Sequence, residues 1–188
     1  MQDAQEIWVP GNGGIFVAPV GTAAPTDATT PLPVAWQDLG LVSPDGVAIT
    51  PALEESQVMT WQSPYPARRL VTARNLQAKG ALLQVNTVTL ALFFGGAVVS
   101  GSGSAYTLAP PDPALIDTRA WVYEGYEGSG AGLRKHRHYW PSGLVITFGD
   151  WVWTRSAAAA IDITVGLNAL TPGNEWKHWV SDAQFSAT

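Results

Sequence analysis

The stretch 133-LRKHRHYWPSG-143 sets three permanent cations, Arg134, Lys135 and Arg137, beside four ring-bearing residues, His136, His138, Tyr139 and Trp140. Two histidines at i and i+2 share one face of a strand, as zinc ligation requires, but a zinc site needs a third or fourth ligand. Arg134 lies on that same face and repels a dication, and the chain has no cysteine. Tyr139 and Trp140 could stack on nucleobases, yet the net charge of −5 and a pI near 5.0 oppose phosphate binding. As a strand, 133–140 puts Arg134, His136, His138 and Trp140 on one side and Lys135, Arg137 and Tyr139 on the other. Neither side is apolar, so both sides are expected to meet protein. Folding back on 119–127 across the Gly-rich "GSGAGL" pairs Glu127 with Arg134, Glu124 with Arg137, Tyr123 with His138 and Trp121 with Trp140. That register answers most of the basic cluster with acids of its own hairpin.

Other chemistry is thinly supported. Glu54 and Glu55 are adjacent and point to opposite sides of a strand, so they cannot flank one glycosidic bond. Glu124 and Glu127 are better used in cross-strand ion pairs. Ser129, in "EGSGAG", lacks the strand–Ser–helix setting of a hydrolase nucleophile, and "GNGG" and "GSGSA" are too short to cradle a phosphate. Trp151 and Trp153 in "GDWVWTR" share a face and form the best pair for stacking a sugar. Catalysis, metal ions and cofactors are therefore not expected.

The elements that hold these residues read mainly as strands. Residues 10–50 contain six prolines between 10 and 44, which exclude a helix. They suggest a short strand at 14–20, an irregular segment at 21–33 and a turn at "SPDG" (43–46). "EESQVMTW", the loop "QSPYPA" and "RRLVTARNLQAKGALLQV" read as a hairpin whose second arm is 68–85, with a bulge or bend at Gly80. Pairing Trp61 with Arg68 would set Glu55 opposite Arg74. Residues 86–95 suit one buried helix, capped by Asn86 and ended by Gly95, although the β-branched run Thr87–Val88–Thr89 equally suits a strand. A Gly/Ser turn at 100–104 precedes strands at 104–109, 115–127, 133–140, 143–148 and 159–168. Trp176, Trp179 and Val180 have helical spacing over one turn only, which leaves 174–188 open between helix and strand.

At 188 residues the chain fits a single domain. "MQDAQEIWVP" lacks the basic and apolar regions of a signal peptide, and the longest apolar run, 88–99, is too short to span a bilayer. The charged fraction of 13% is about half the usual ~25%, as expected of a surface largely covered by something else. Charge is also segregated. Residues 1–67 hold seven acids and no Lys or Arg, whereas 68–79 carry Arg68, Arg69, Arg74 and Lys79 without an acid. Either neighbouring copies use this for head-to-tail association, or the fold brings the two segments together in one subunit.

From 26 to 96 the residues resemble a known family. "TDATTPLPVAWQDLGLVSPDGVAIT", an acidic pair, "TWQSPYPARRLVTARNLQ" and "NTVTLALFFGG" are similar, in order and spacing, to the major tail (tail tube) proteins of long-tailed phages, especially of actinobacterial hosts. Asp38-Leu39-Gly40, Ser43 to Val47 and Asn86-x-x-Thr-Leu carry the likeness. Pro44 stands where many relatives have Glu. The resemblance implies a β-sandwich or barrel with one flanking helix and a long extended N-terminal segment at 10–50. It also implies hexameric rings stacked into a hollow tube, the virion's conduit for DNA, assembled in the host cytoplasm with tape-measure, tail-tip and terminator proteins as partners. It transfers no catalytic residue, cofactor or membrane contact. Candidate lumen or inter-subunit charges are Glu54, Glu55, Arg68, Arg69, Arg74, Glu124, Glu127, Arg134 and Arg137; candidate interface aromatics are Trp61, Trp121 and Trp140. The competing expectations are a carbohydrate-binding β-sandwich using Trp151 and Trp153, or another ring-forming head–tail component such as a tail terminator.

Overall fold

The computed structural model describes residues 6–169 and 173–182. In chain order the elements are β1 (Asn12–Pro19), β2 (Gln37–Asp38), β3 (Val42–Thr60), β4 (Ser63–Leu82), α1 (Thr87–Phe93), β5 (Val98–Ser102), β6 (Ala105–Ala109), β7 (Thr118–Glu127), β8 (Arg134–Phe148), β9 (Ile161–Leu167) and β10 (Lys177–Ser181). The architecture is mainly β, with one short helix, as expected. Strands run in the spatial order β2-β1-β7-β8-β9-β4-β3, β10 pairs with β8, and β5–β6 form a separate hairpin.

The β7–β8 hairpin sits at the centre, and its register matches the sequence pairing at all four positions: Glu127 faces Arg134, Glu124 faces Arg137, Tyr123 faces His138 and Trp121 faces Trp140. Opposed charges and opposed rings select this alignment over a one-residue slip, which would send every side chain to the other face. Both faces of the hairpin are covered. One packs Trp121, Tyr123 and Trp140 with Ile15, Leu82, Leu92, Ile161 and Val165. The Ile15 methyl lies within contact distance of Gly80 on β4, although three strands stand between β1 and β4 along the sheet path. The sheet therefore curls over on itself and closes an apolar interior.

The opposite face packs Ala18, Trp36, Ala120, Val122 and Tyr139, with Ala24, Leu32 and Trp179 alongside. The Pro-rich segment after β1 thus finds its core on its own sheet and does not wait for assembly to supply one. Asp27 organises it: its carboxylate accepts from the amides of Thr29 and Thr30, both at 2.6 Å. These bonds, Thr30's amide first, hold the Asp27 carboxyl well below the usual carboxylate range.

Helix α1 forms as expected. Asn86 accepts from the amides of Val88 and Thr89, while the Thr89 hydroxyl accepts from the Asn86 amide, a reciprocal cap. Gly95 then takes φ 69° and ends the helix, so the β-branched run does not become a strand.

Several local expectations are corrected. "SPDG" does not reverse the chain; it is a bulge in β3, where Val42 pairs with Leu82 and Val47 with Gly80, and Gly46 supplies φ 68°. The "QSPYPA" loop is largely strand, because β4 begins at Ser63 and only Trp61 and Gln62 turn. Glu55 faces Val71 and Arg74 faces Leu53, so the expected Glu55–Arg74 pairing is absent. Strands 133–140 and 143–148 are one strand, β8. Its Pro141 lies at an irregularity opposite Ala120, where a missing N–H costs least. Residues 98–102 are strand β5, and 177–181 are strand β10; residues 183–188 lie outside the described set.

Candidate functional site

Three features stand out from the folded sheet: a projecting hairpin, a charged seam in its centre, and a histidine cluster at one end.

The hairpin is β3–β4. It leaves the sheet where β4 loses its pairing with β9, beyond Gln77, and continues to the turn at Trp61–Gln62. At ~3.3 Å per residue this ribbon reaches roughly 40 Å from the body. From Thr50 to Thr60 every residue is exposed, so neither face has an apolar floor. Even so, the ribbon carries Leu53, Val58, Met59, Leu70 and Val71 in water, and Trp61 at its tip is 99% exposed. An isolated two-stranded ribbon is marginal in water, and this one also forfeits apolar burial.

The hairpin holds five of the charges singled out in the sequence. Glu55 pairs with Arg69 and also accepts from Gln57. Glu54 accepts from the Asn75 amide at 2.9 Å. Arg68 and Arg74 have no ion-pair partner among the described residues. The acidic and basic segments therefore meet partly within one subunit, at Glu55–Arg69, and partly remain available.

The charged seam lies on one side of β7–β8. Glu124 receives Arg137 through Nε at 2.6 Å and Lys135 through Nζ at 2.7 Å. Arg137, 1% exposed, also donates to the carbonyl oxygen of Asp27 at 2.6 Å, tying the Pro-rich segment to the sheet. On the other side Arg134 joins three segments, donating to Asp182 at 2.7 Å, to Glu127 at 3.1 Å and to the Ile7 carbonyl at 3.0 Å. Within the subunit the side chains of Glu124 and Arg137 are buried, and Trp121 and Trp140 are fully buried in its core. Glu127 and Arg134 are partly covered, and of the three aromatics Trp61 alone is exposed.

All three histidines of the chain meet at one end of this seam. His178 on β10 lies opposite His138 and inserts between it and His136: Nε2 of His178 is 3.1 Å from Nδ1 of His136, and its Nδ1 is 3.0 Å from Nδ1 of His138. Trp8 stacks on His136 at 4.1 Å and Trp176 on His138 at 5.2 Å. Burial pulls His138 down to about 4, with the charge of His178 a lesser cause. Loss of water likewise lowers His136 and His178. The common face of His136 and His138 was legible from their spacing; His178 was not, because 174–188 stayed open between helix and strand. No group of His, Asp or Glu among the described residues is arranged to hold a metal ion.

Trp151 and Trp153 belong to another cluster, with Phe93, Phe94 and Phe148 beneath them. They stand at 81° to each other and lie outside any strand, so they present no common plane for a sugar ring. No helix among the described residues is long and apolar enough to cross a membrane.

A search among curated proteins returned no match. Comparison with protein families did, over residues 1–188. With the mainly-β fold and the motifs at 38–47 and 86–90, that match places the chain in the phage tail tube protein family, a structural component of the virion tail.

Proposed function

We propose that the chain assembles into hexameric rings that stack as the hollow tail tube and let DNA pass without binding it specifically. The observation that carries this reading is the β3–β4 ribbon, some 40 Å of paired backbone that leaves the sheet with both faces in water and apolar residues on it. Such a ribbon becomes stable when a neighbouring subunit covers it, and an obligate assembly buries more than ~2,000 Å² per interface. Trp61 at the tip is the anchor, since an aromatic in a desolvated interface centre dominates association. Glu54, Arg68 and Arg74 on the ribbon set its register against the neighbour, or line the lumen, where carboxylates repel passing phosphates. Assembly occurs in the host cytoplasm, with tape-measure, tail-tip and terminator proteins as further partners.

Negative-stain electron microscopy with light scattering, on the wild type and Trp61→Ser, tests this. Wild type should give rings or tubes of constant diameter, and the variant should need a concentration at least tenfold higher to do so. A wild type that stays a 20.0 kDa monomer at all concentrations, indistinguishable from the variant, sinks the proposal.

A further inference from the structure

The geometry of the histidine cluster limits the protons it can hold. His178 presents opposite ring nitrogens to its two neighbours, Nε2 to His136 and Nδ1 to His138. One metal ion cannot bind both nitrogens of one imidazole, so the trio is not a three-ligand site. It is a chain of two N···N contacts, and each needs one proton between its nitrogens.

Counting protons decides what the chain tolerates. With all three rings neutral, His178 donates to one neighbour and accepts from the other, and both contacts are made. One added proton on His178 is also accommodated: it donates to both neighbours, each of which then holds its own proton on Nε2. The Nε2 of His136 then points towards Asp182, 3.9 Å away. A second added proton sits on His136 or His138 and sets N–H against N–H across a gap near 3 Å. One contact must then open.

We infer that this trio is an acid-sensitive latch on β10: docked, the strand admits at most one extra proton at the cluster, and released, it admits three. β10 is bound along Lys177–Ser181 to residues 135–139 of β8, and its other anchor is Asp182 on Arg134. Around the trio, β8 contributes Arg134, β7 contributes Glu127 and Tyr123, and Asp182 follows β10. Glu124 lies on the wall of the adjoining cavity, whose β3 side is formed by Ser43, Pro44 and Gly46 and is uncharged. The lowered affinity of all three rings for protons agrees in direction. With folded values below the ordinary 6.5, the docked state is fully favoured above that pH and loses ground as pH falls through it. A net uptake of two protons on release raises the released fraction about a hundredfold per pH unit below roughly 6. Release uncovers Tyr139, against which Trp179 packs, and strips one partner from β8.

Hydrogen-exchange mass spectrometry on the full chain between pH 8 and 5 tests the latch. Rates are corrected for intrinsic pH dependence, and a constant assembly state is verified by light scattering. Protection over 177–181 should fall at least tenfold more than protection over 161–167 in β9. In His178→Gln the excess fall should disappear while protection at pH 8 persists. If that variant leaves β10 unprotected even at pH 8, His136→Asn, which removes an outer member, provides the same comparison. Equal falls in β9 and β10, or an unchanged slope in the informative variant, would overturn the inference.

Discussion

Arg137 stands almost without water between the Glu124 carboxylate and the Asp27 carbonyl, so its charge is fully committed inside the subunit. Arg137→Met removes one partner of a buried pair and releases the Pro-rich segment; we expect a loss of about 3–5 kcal/mol in urea unfolding. Tyr123 poses the opposite case. Its hydroxyl is buried with no hydrogen-bond partner among the described residues, and burial drives its ionisation well above the usual tyrosine value. Tyr123→Phe should be neutral or more stable by about 1 kcal/mol, because it deletes an unpaired polar group and keeps the ring. A raised folded value makes the tyrosine's contribution complete below about pH 10 and lost above it. The variant should therefore unfold less readily than wild type in alkaline solution, as circular dichroism against pH would show.

At the scale of elements, legibility followed constraint. The β7–β8 register could be read because charges and rings along it match in one alignment only, and both faces are buried. The β3–β4 register could not. Both its faces are exposed, so no inward–outward alternation fixes it, and irregularities at Glu54/Glu55 and Val58/Thr60 shift it further. Pro141 read as a strand end, although β8 carries it where its second partner changes from β10 to β9. The cap at Asn86 was plain in the sequence because its bonds are local. Asn86→Ala should cost about 1 kcal/mol, measured by thermal unfolding, since Thr89 beneath it is fully buried and packs whether or not the cap is made. Of the candidate site, Trp61 was legible as an aromatic at the end of the hairpin, whereas the Glu55–Arg69 pair was not, because the expected register set Glu55 opposite Arg74. The burial of Glu124 and Arg137 was not, because it depends on a segment about 110 residues earlier in the chain.

For the whole molecule, the body and the ribbon are separable. Excising Leu53–Arg74 and closing Ala52 to Asn75 with Asn-Gly removes no residue of either apolar cluster. The shortened chain should keep the wild-type circular dichroism of its body and melt cooperatively, yet remain a monomer in light scattering at concentrations where wild type assembles. Loss of the body's fold in that variant would show that the ribbon is part of the folding unit. The pairing of β1 has a different consequence, one of timing. Phe16 pairs with Val122, so 122 − 16 = 106 residues separate them. At roughly 5–20 residues per second, a ribosome needs on the order of 5–20 s to make the partner of a strand it has already released. Through that interval Ile15, Phe16 and Val17 lack their β7 partner on the nascent chain, and only the two-residue strand β2 can pair with their other edge. The late arrival of β7 thus keeps the central sheet from closing until most of each chain has been translated, and it exposes an early strand to chaperones and to its neighbours on the same polysome.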